Sequence, residues 1–248
     1  MSGEPRLVRT FESVDSTNER ALALAAAGAP DGSIVSAAEQ TAGRGRRGRS
    51  WHSPGGGLYL SYIVRAVDAL PQPALLTLAA GVAVVEAIRD ATGLTPALKW
   101  PNDIVIDEPP RKLAGILTEA SGVGSRLEYA VIGIGINVST AAFPPDLATL
   151  ATSLGLELGR EIDRERVQNA LVVALDRGVA RLREGREADL LAAWTAAAPG
   201  ARGRRVAWLA GDETRQGVTD GIDATGALLV RRADGTVERL VAGDVTWA

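Results

Sequence analysis

The chain has 248 residues, of which 46% are hydrophobic and 23% charged, values close to the average for a globular protein that buries a sizeable core. A formal net charge of −3 disfavours nucleic-acid binding through bulk positive charge, and the absence of cysteine excludes disulfides, thiolate nucleophiles and cysteine-ligated metals. The single histidine, His52, disfavours a histidine triad or a multi-histidine metal site. With no signal-peptide core and no membrane-length apolar run, we expect a cytoplasmic protein with no membrane partner.

The first half of the chain carries alternating helix and strand signals. The run Ser16-Thr17-Asn18-Glu19 is a capping box that predicts a helix to Ala27. Strands are predicted over residues 32–39 and 57–65, and a long buried helix over 73–92 is followed by a glycine. Three β-like runs come next, 97–100 leading into 103–107, then 112–120, then 127–138. Their apolar continuity predicts central strands of a covered sheet.

The second half is helical at first and then changes in texture. Asp163 is placed to cap a helix that runs to about residue 183, and residues 188–198 predict a shorter helix containing Trp194. After Pro199-Gly200, residues 204–248 form five short segments separated by glycine-containing turns, which predicts a small β-barrel of SH3-like size. We therefore predict two domains, residues 1–199 and 200–248.

The segment 43–49, GRGRRGR, combines four arginines with three glycines. Glycine lets a backbone approach a ligand closely, and arginine offers planar, permanently charged donors that match phosphate and carboxylate oxygens. The segment is too charged to pack without a ligand, so we expect a loop that is mobile until a ligand orders it. By itself the loop fits two interpretations equally well. It either wraps a polyanionic ligand, or it is a surface feature, namely an exposed RNA-binding patch or a solvated turn.

A second polar cluster interrupts the predicted strands at Lys99-Trp100-Pro101-Asn102-Asp103. The tryptophan is interpreted as a core residue, but three polar side chains at a strand junction point to a site. Lys112 leads into an otherwise apolar strand, where a lysine is costly to bury without an anion. Its alternative interpretation is a surface lysine at a strand start.

The run Gly133-Ile134-Gly135-Ile136-Asn137 lies within a predicted apolar strand. Since no third glycine opens a helix after it, the run is not a dinucleotide-binding fingerprint. Two glycines on one face of a strand indicate close approach of a ligand or another backbone. Asn137 is then a candidate contact for a base edge, a phosphate or a metal.

Four segments in this order, GRGRRGRSW (43–51), KWPND (99–103), RKLAGIL (111–117) and GIGIN (133–137), resemble the biotin–protein ligase family. The resemblance covers essentially the whole chain, because VTDGIDATGALLV (218–230) is similar to the family's SH3-like domain. It implies an α+β fold of the class II synthetase-like kind, with a mixed sheet and helices packed against it, followed by the SH3-like barrel. It also implies an enzyme that makes biotinyl-5′-AMP from biotin and ATP with Mg²⁺, then transfers biotin to a lysine of a biotin carboxyl carrier domain.

The resemblance assigns residues to each ligand. Biotin is expected to contact Ser16, Thr17, Asn18, Gln40, Gly43, Arg44, Arg46, Trp51, Lys112, Gly115, Gly133 and Gly135. ATP and the adenylate are expected to contact Arg44, Arg46, Arg49, Trp51, Lys99, Asn102, Lys112 and Asn137. The expected catalytic residues are Lys112, Arg44 and Arg46, and Asp103 is the expected Mg²⁺ ligand.

The family's repressor-type members carry a winged helix-turn-helix before the Ser-Thr-Asn segment, where this sequence has 15 residues. We therefore expect a ligase that does not bind DNA, as a monomer or homodimer. Pro109-Pro110 lengthens the turn before Lys112 relative to the family. Two alternatives stay open, a lipoate–protein ligase or octanoyl transferase with the same catalytic fold, and a nucleic-acid-binding module that uses the Arg/Gly loop and the barrel.

Overall fold

A computed structural model describes residues 5–106, 109–124 and 126–247, and its main feature is a seven-stranded mixed sheet. The strand order is β1-β2-β3-β7-β6-β5-β4, with β1 and β2 parallel and every other neighbouring pair antiparallel. The strands are β1 (Val8–Val14), β2 (Ile34–Gln40), β3 (Gly57–Arg65), β4 (Ala97–Lys99), β5 (Asp103–Ile106), β6 (Arg111–Val123) and β7 (Arg126–Asn137).

Five α-helices accompany the sheet: α1 (Thr17–Ala26), α2 (Leu76–Thr92), α3 (Leu154–Leu158), α4 (Arg164–Arg183) and α5 (Glu187–Ala197). Asp163 caps α4 by accepting a hydrogen bond from the Arg166 backbone N–H at 3.0 Å, as predicted. Ser16 occupies the N-cap position of α1, but its side chain accepts no cap hydrogen bond. The capping-box geometry is therefore not formed: the Ser16 N–H donates to the Asp15 carboxylate, and Glu19 pairs with Arg44.

The predicted strands and helices before residue 199 agree with the structure within a few residues at each end. Two elements were not predicted, β1 and the short helix α3. The predicted strand at 103–107 ends at Ile106, and its last residue, Asp107, lies outside the described residues together with Glu108 at the start of the Pro109-Pro110 turn.

Alternation along β7 sends side chains to opposite faces of the sheet. The isoleucines Ile132, Ile134 and Ile136 enter the main core beneath α2, α4 and α5, while Val131 packs with α1 on the other face. Because the period of a strand is two residues, Gly133, Gly135 and Asn137 share the α1 face. The site described below is built on that face.

Beyond residue 199, a five-stranded antiparallel sheet has the order β11-β10-β9-β8-β12. Its strands are β8 (Arg202–Ala210), β9 (Glu213–Ile222), β10 (Leu228–Arg231), β11 (Val237–Leu240) and β12 (Val245–Trp247). Ala248 lies outside the described residues. All five predicted strands are therefore present in the SH3-like C-terminal sheet.

The two sheets share one hydrophobic core. Trp194 of α5 joins Val206, Trp208 and Leu228 in the same buried cluster as the helices of the first sheet. Trp100 is buried, as predicted, and its indole Nε1 donates to the Gly226 carbonyl at 3.0 Å. The C-terminal sheet is consequently held against the first sheet by apolar burial and by directed hydrogen bonds; the division at residue 200 stays a prediction.

Within the described residues, no helix is long and apolar enough to cross a membrane.

Trp194 is the largest fully buried side chain, with 1% of its surface exposed. Replacing Trp194 by Ala leaves a cavity in the shared core, so we expect the free energy of unfolding to fall by about 3–5 kcal/mol. Urea denaturation measures the change. The control is Val173→Ala on α4, where the side chain is 54% exposed and the expected change is below about 0.5 kcal/mol. Equal, small effects of the two substitutions would contradict a core shared by both sheets.

Candidate active site

Three glycines open a slot on the α1 face of the first sheet. Gly115 of β6 pairs with Gly135 of β7, and Gly133 lies two residues from Gly135 on the same face. A methyl group at Gly133 would collide with the Asn18 side chain, and one at Gly135 would collide with the Trp51 indole. Glycine is therefore required here for close approach of neighbouring side chains.

The start of α1 is tied to the sheet by a buried hydrogen-bond network. The Ser61 hydroxyl of β3 contacts the Thr17 hydroxyl at 2.9 Å and the Asn18 Oδ1 at 2.6 Å. The Thr17 N–H donates to the Gln40 Oε1 at 2.9 Å, and the Gln40 Nε2 donates to the Ser53 Oγ at 3.0 Å. The polar groups in this part of the slot are thus held in fixed orientations by the protein itself.

Trp51 forms one wall of the slot. Its ring lies within 3.0 Å of the position that a Cβ on Gly115 would occupy. Its buried Nε1 has no hydrogen-bond partner among the described residues. Since a buried indole N–H normally finds an acceptor, this donor is suited to a ligand oxygen.

Lys112 lies at the mouth of the slot with two partners. Its Nζ is 2.6 Å from the Asp103 Oδ1 and 5.1 Å from the centroid of the Trp51 ring. The carboxylate partner supplies the anion that burial of this lysine was expected to need. Lys112 is thereby oriented toward the same space as the tryptophan.

The Arg/Gly loop is folded, with backbone hydrogen bonds from Gly45 to Arg49 and from Trp51 to Gly43. Three of its arginines converge on Asp244, which precedes β12. The Arg49 Nη2 lies 2.9 Å from the carboxylate, and the nearest nitrogens of Arg46 and Arg47 lie at 3.7 and 3.8 Å. The C-terminal sheet therefore helps to position the loop.

Arg44 and Arg46 point to different parts of the site. Arg44 pairs with Glu19 of α1, and with the Glu119 Oε1 of β6 at 2.7 Å. Arg46 donates to the Asn102 Oδ1 at 2.9 Å, and burial lowers the pKa of its guanidinium. The loop was expected to be too charged to pack without a ligand, but these carboxylates and the amide hold its arginines. Its mobility before ligand binding stays a prediction.

A segment after β7 closes the other side of the slot. We call residues 143–151 the strap, since Phe143, Leu147, Leu150 and Ala151 line the slot. The strap lies against β6 because the Lys112 N–H donates to the Leu150 carbonyl at 2.7 Å. The slot is thus lined by apolar side chains of the strap as well as by arginines, a combination suited to a ligand with both apolar and anionic parts.

The slot has a volume of about 380 Å³ and brings together most of the predicted site residues. Its walls include Ser16, Thr17, Asn18, Gln40, Arg44, Arg46, Arg49, Trp51, Asn102, Asp103, Lys112, Gly115, Gly133, Gly135 and Asn137. Gly43 and Lys99 are not among the lining residues: a Cβ on Gly43 would collide with Ser53, and the Lys99 Nζ lies 5.6 Å from the centroid of the Trp247 ring. Burial lowers the pKa of Lys99.

Several residues of the site were missed in the sequence. Ser61 had a usable signal, because a serine in the middle of a buried apolar strand needs a partner. Glu19, Glu119 and Asp244 carried none, since exposed carboxylates are common and their partners lie at least 25 positions away in the chain. The strap, which follows Pro144-Pro145, was not predicted as part of the site.

Comparisons with known proteins agree along the chain. The Biotin/lipoate A/B protein ligase family matches residues 10–137, and the Biotin protein ligase C terminal domain matches residues 203–246. The biotin–[acetyl-CoA-carboxylase] ligase of Mycobacterium tuberculosis is 39% identical over 239 residues, covering 93% of this chain and 85% of the relative. The bifunctional ligase/repressor BirA of Bacillus subtilis is 37% identical over 236 residues, covering 94% of this chain and 71% of the relative.

Among solved structures, the biotin protein ligase from Aquifex aeolicus in complex with biotin and ATP aligns with a TM-score of 0.85 at 28% identity. The alignment covers 98% of this chain and 99% of the other. The two family matches follow one another along the chain in the expected order, and the alignments with similar proteins extend over nearly the whole sequence. The chain therefore belongs to the biotin protein ligase family.

Proposed function

We propose that this chain is an ATP-dependent biotin–protein ligase that forms biotinyl-5′-AMP and transfers biotin to a lysine of a biotin carboxyl carrier domain. The observation that carries the proposal is the slot, which brings the hydroxyl and amide groups of Thr17, Asn18 and Gln40 together with a lysine and the arginines of the Arg/Gly loop. Membership of the family and the ATP- and biotin-bound Aquifex aeolicus structure support the choice of ligands. The proposal is confined to ligation.

The biotin head group is assigned to the buried end of the slot. Thr17, Asn18 and Gln40 present hydroxyl and amide groups there, held by Ser61 and Ser53. A ureido group offers both N–H donors and a carbonyl acceptor, which such groups satisfy. Gly133 and Gly135 let Asn18 and Trp51 lie against the sheet, and the rest of the molecule is assigned to the slot beside Trp51.

In the first step, an oxygen of the biotin carboxylate bonds to the α-phosphorus of ATP, and pyrophosphate leaves with the electron pair of the broken P–O bond. Both reactants are anions, so the main requirement is positive charge fixed where they meet. Lys112, Arg44 and Arg46 supply it, with Lys112 placed between carboxylate and phosphate. Arg44 must then exchange Glu19 or Glu119 for the ligand, and those carboxylates orient it beforehand.

Asp103 is assigned to Mg²⁺. Magnesium in nucleotide sites is commonly held by one or two carboxylates, with substrate phosphates completing its shell. No cluster of three or more potential metal-binding side chains occurs in the described parts of the chain, so a metal here would depend on the nucleotide for its other ligands. When bound, Mg²⁺ neutralises phosphate charge. Asp103 would hold the ion while remaining close to Lys112.

In the second step, the neutral ε-amine of the carrier lysine attacks the acyl carbonyl of the adenylate. The new C–N bond forms as AMP leaves with the electrons of the C–O bond, and the amine loses a proton. Trp51 and the Arg/Gly loop exclude water from the anhydride before the carrier arrives. This chemistry needs no histidine, in agreement with the single histidine of the chain.

The direct test is incubation of the chain with biotin, MgATP and a biotin carboxyl carrier domain, followed by intact mass measurement. We expect the carrier to gain one biotinyl group and a carrier whose target lysine is replaced by arginine to gain none. The chain has only two lysines of its own, Lys99 and Lys112, so its mass should stay constant. A carrier without added mass would overturn the proposal.

Lipoate or octanoate is the competing substrate, since the matching family includes lipoate ligases. Isothermal titration with biotin, lipoate and octanoate separates the alternatives: we expect binding of biotin alone. The nucleic-acid alternative would be supported by a salt-dependent gel shift with RNA or DNA. Sedimentation measurements distinguish a monomer from a homodimer.

Replacement of Lys112 by Ala removes the positive charge placed between the two anions. We expect biotinyl-AMP formation to fall by at least about 100-fold, the usual cost of losing one preorganised stabilising group. Pyrophosphate exchange measures the rate, and circular dichroism checks the fold. Arg9→Ala, which removes an exposed cation on β1, is the control and should behave as wild type. Full activity of the Lys112 variant would refute the role assigned to it.

Replacement of Asp244 by Asn removes the carboxylate that three loop arginines share. Asp244 is 43% exposed, so its charge contributes about 1 kcal/mol in all, and we expect the KM for ATP to rise roughly fivefold. Steady-state adenylation gives the KM. Asp212→Asn, an exposed aspartate on the same sheet, serves as control. An unchanged KM would mean that the C-terminal sheet does not position the loop for nucleotide.

A further inference from the structure

Lys112 is fixed by its backbone as well as by its side chain. Its N–H donates to the Leu150 carbonyl at 2.7 Å, and its carbonyl accepts from the Thr152 N–H at 3.0 Å. The strap therefore runs parallel to β6 at this point, where Lys112 and Ala151 form an isolated parallel bridge. Because both hydrogen bonds involve Lys112 itself, any shift of the strap moves the lysine with it.

Two residues next to these backbone hydrogen bonds contact the same carboxylate, that of Glu157. Arg111 precedes Lys112, and its Nη2 lies 3.0 Å from the Glu157 Oε1. Thr152 follows the strap, and its buried hydroxyl donates to the same Glu157 carboxylate. Glu157, in α3, thus joins the strand that carries Lys112 to the segment that covers the slot.

Glu157 is suited to this role by its surroundings. Its side chain is 12% exposed, so its ion pair and hydrogen bond are screened less by solvent than surface pairs are. The carboxylate accepts from a guanidinium and a hydroxyl at once, which orients both donors. No sequence signal or family assignment given above places Glu157, Thr152 or Arg111 in the reaction.

We propose that Glu157 is a positioning residue which, through Arg111 and Thr152, locks the strap against Lys112 and so sets the affinity for the nucleotide. This inference rests on the proposed function, because it concerns the adenylation site of that ligase. The biotin end of the slot is held by a separate network around Thr17, Asn18 and Ser61. Loosening the strap should therefore weaken ATP binding much more than biotin binding, since Lys112 is assigned only to the carboxylate end of biotin.

The test uses two variants that remove different parts of the arrangement. Glu157→Gln keeps the shape of the side chain and removes its charge, and Thr152→Val keeps the shape and removes the hydroxyl. For each we expect the KM for ATP in pyrophosphate exchange to rise about tenfold, since charge-assisted, buried hydrogen bonds are the strong ones. The Kd for biotin, measured by isothermal titration, should stay within about twofold of wild type.

Two further variants separate positioning from general stability. Thr152→Ser restores a hydroxyl and should return the KM for ATP close to the wild-type value. Glu161→Gln changes an exposed carboxylate four residues from Glu157 and should have no effect. Thermal unfolding of all variants records any loss of stability; if one of the two main variants fails to fold, the other with its serine rescue carries the test.

An unchanged KM for ATP in Glu157→Gln and Thr152→Val would overturn the inference. So would parallel losses of ATP and biotin affinity that follow the loss of thermal stability, because that pattern indicates a purely structural role. ATP affinity is also measured directly by isothermal titration. A wild-type chain that binds ATP but forms no biotinyl-AMP would contradict the proposed function, while the comparison of ATP affinities would still decide the role of Glu157.

Discussion

Side chains of the helix start and of the segment after the Arg/Gly loop can lie directly against the middle of the first sheet because three adjoining positions, Gly115, Gly133 and Gly135, have no side chain. The rest of the site depends on that space. Trp51 lies over Gly135, and Asn18 lies against Gly133, so the loop and the helix start both reach the sheet surface. On the opposite face the alternating isoleucines of β7 remain in the core. One strand thereby supplies stability on one face and access on the other.

Electrostatics organises the rim of this slot. Each cation that faces it has a carboxylate or amide partner drawn from another element: Asp103 for Lys112, Glu19 and Glu119 for Arg44, and Asn102 for Arg46. These partners hold the positive groups in place. Most of the pairs are partly exposed, so a ligand anion can replace the protein partner. A site that must bind two anions side by side gains from cations whose orientation is already set.

The C-terminal sheet contributes more than a covering for the core. Asp244 reaches the Arg/Gly loop, and Trp100 of the KWPND segment donates to Gly226. Movement of one sheet relative to the other would therefore disturb the Arg/Gly loop at the rim of the slot. The strap is also connected to the first sheet, through backbone hydrogen bonds with Lys112 of β6.

The order and type of most elements could be read from the sequence, because amphipathic and apolar periods dominate in buried strands and helices. The run 57–65 became β3 with the predicted bounds, and Asp163 capped α4 as predicted. The edge strand β1 escaped prediction because its residues are largely exposed and lack the apolar continuity of the central strands. Helix α3 was missed because five residues give too short a pattern.

The sequence by itself identified candidate site residues, namely the glycines, the arginines and Lys112, because the chemistry of these residue types limits the roles they can have. Only the tertiary structure decided their partners. Asp244 meets Arg49 across 195 positions, and Glu157 meets Arg111 across 46. Carboxylates on the surface are common, and a pairing between distant residues depends on how the chain folds back on itself.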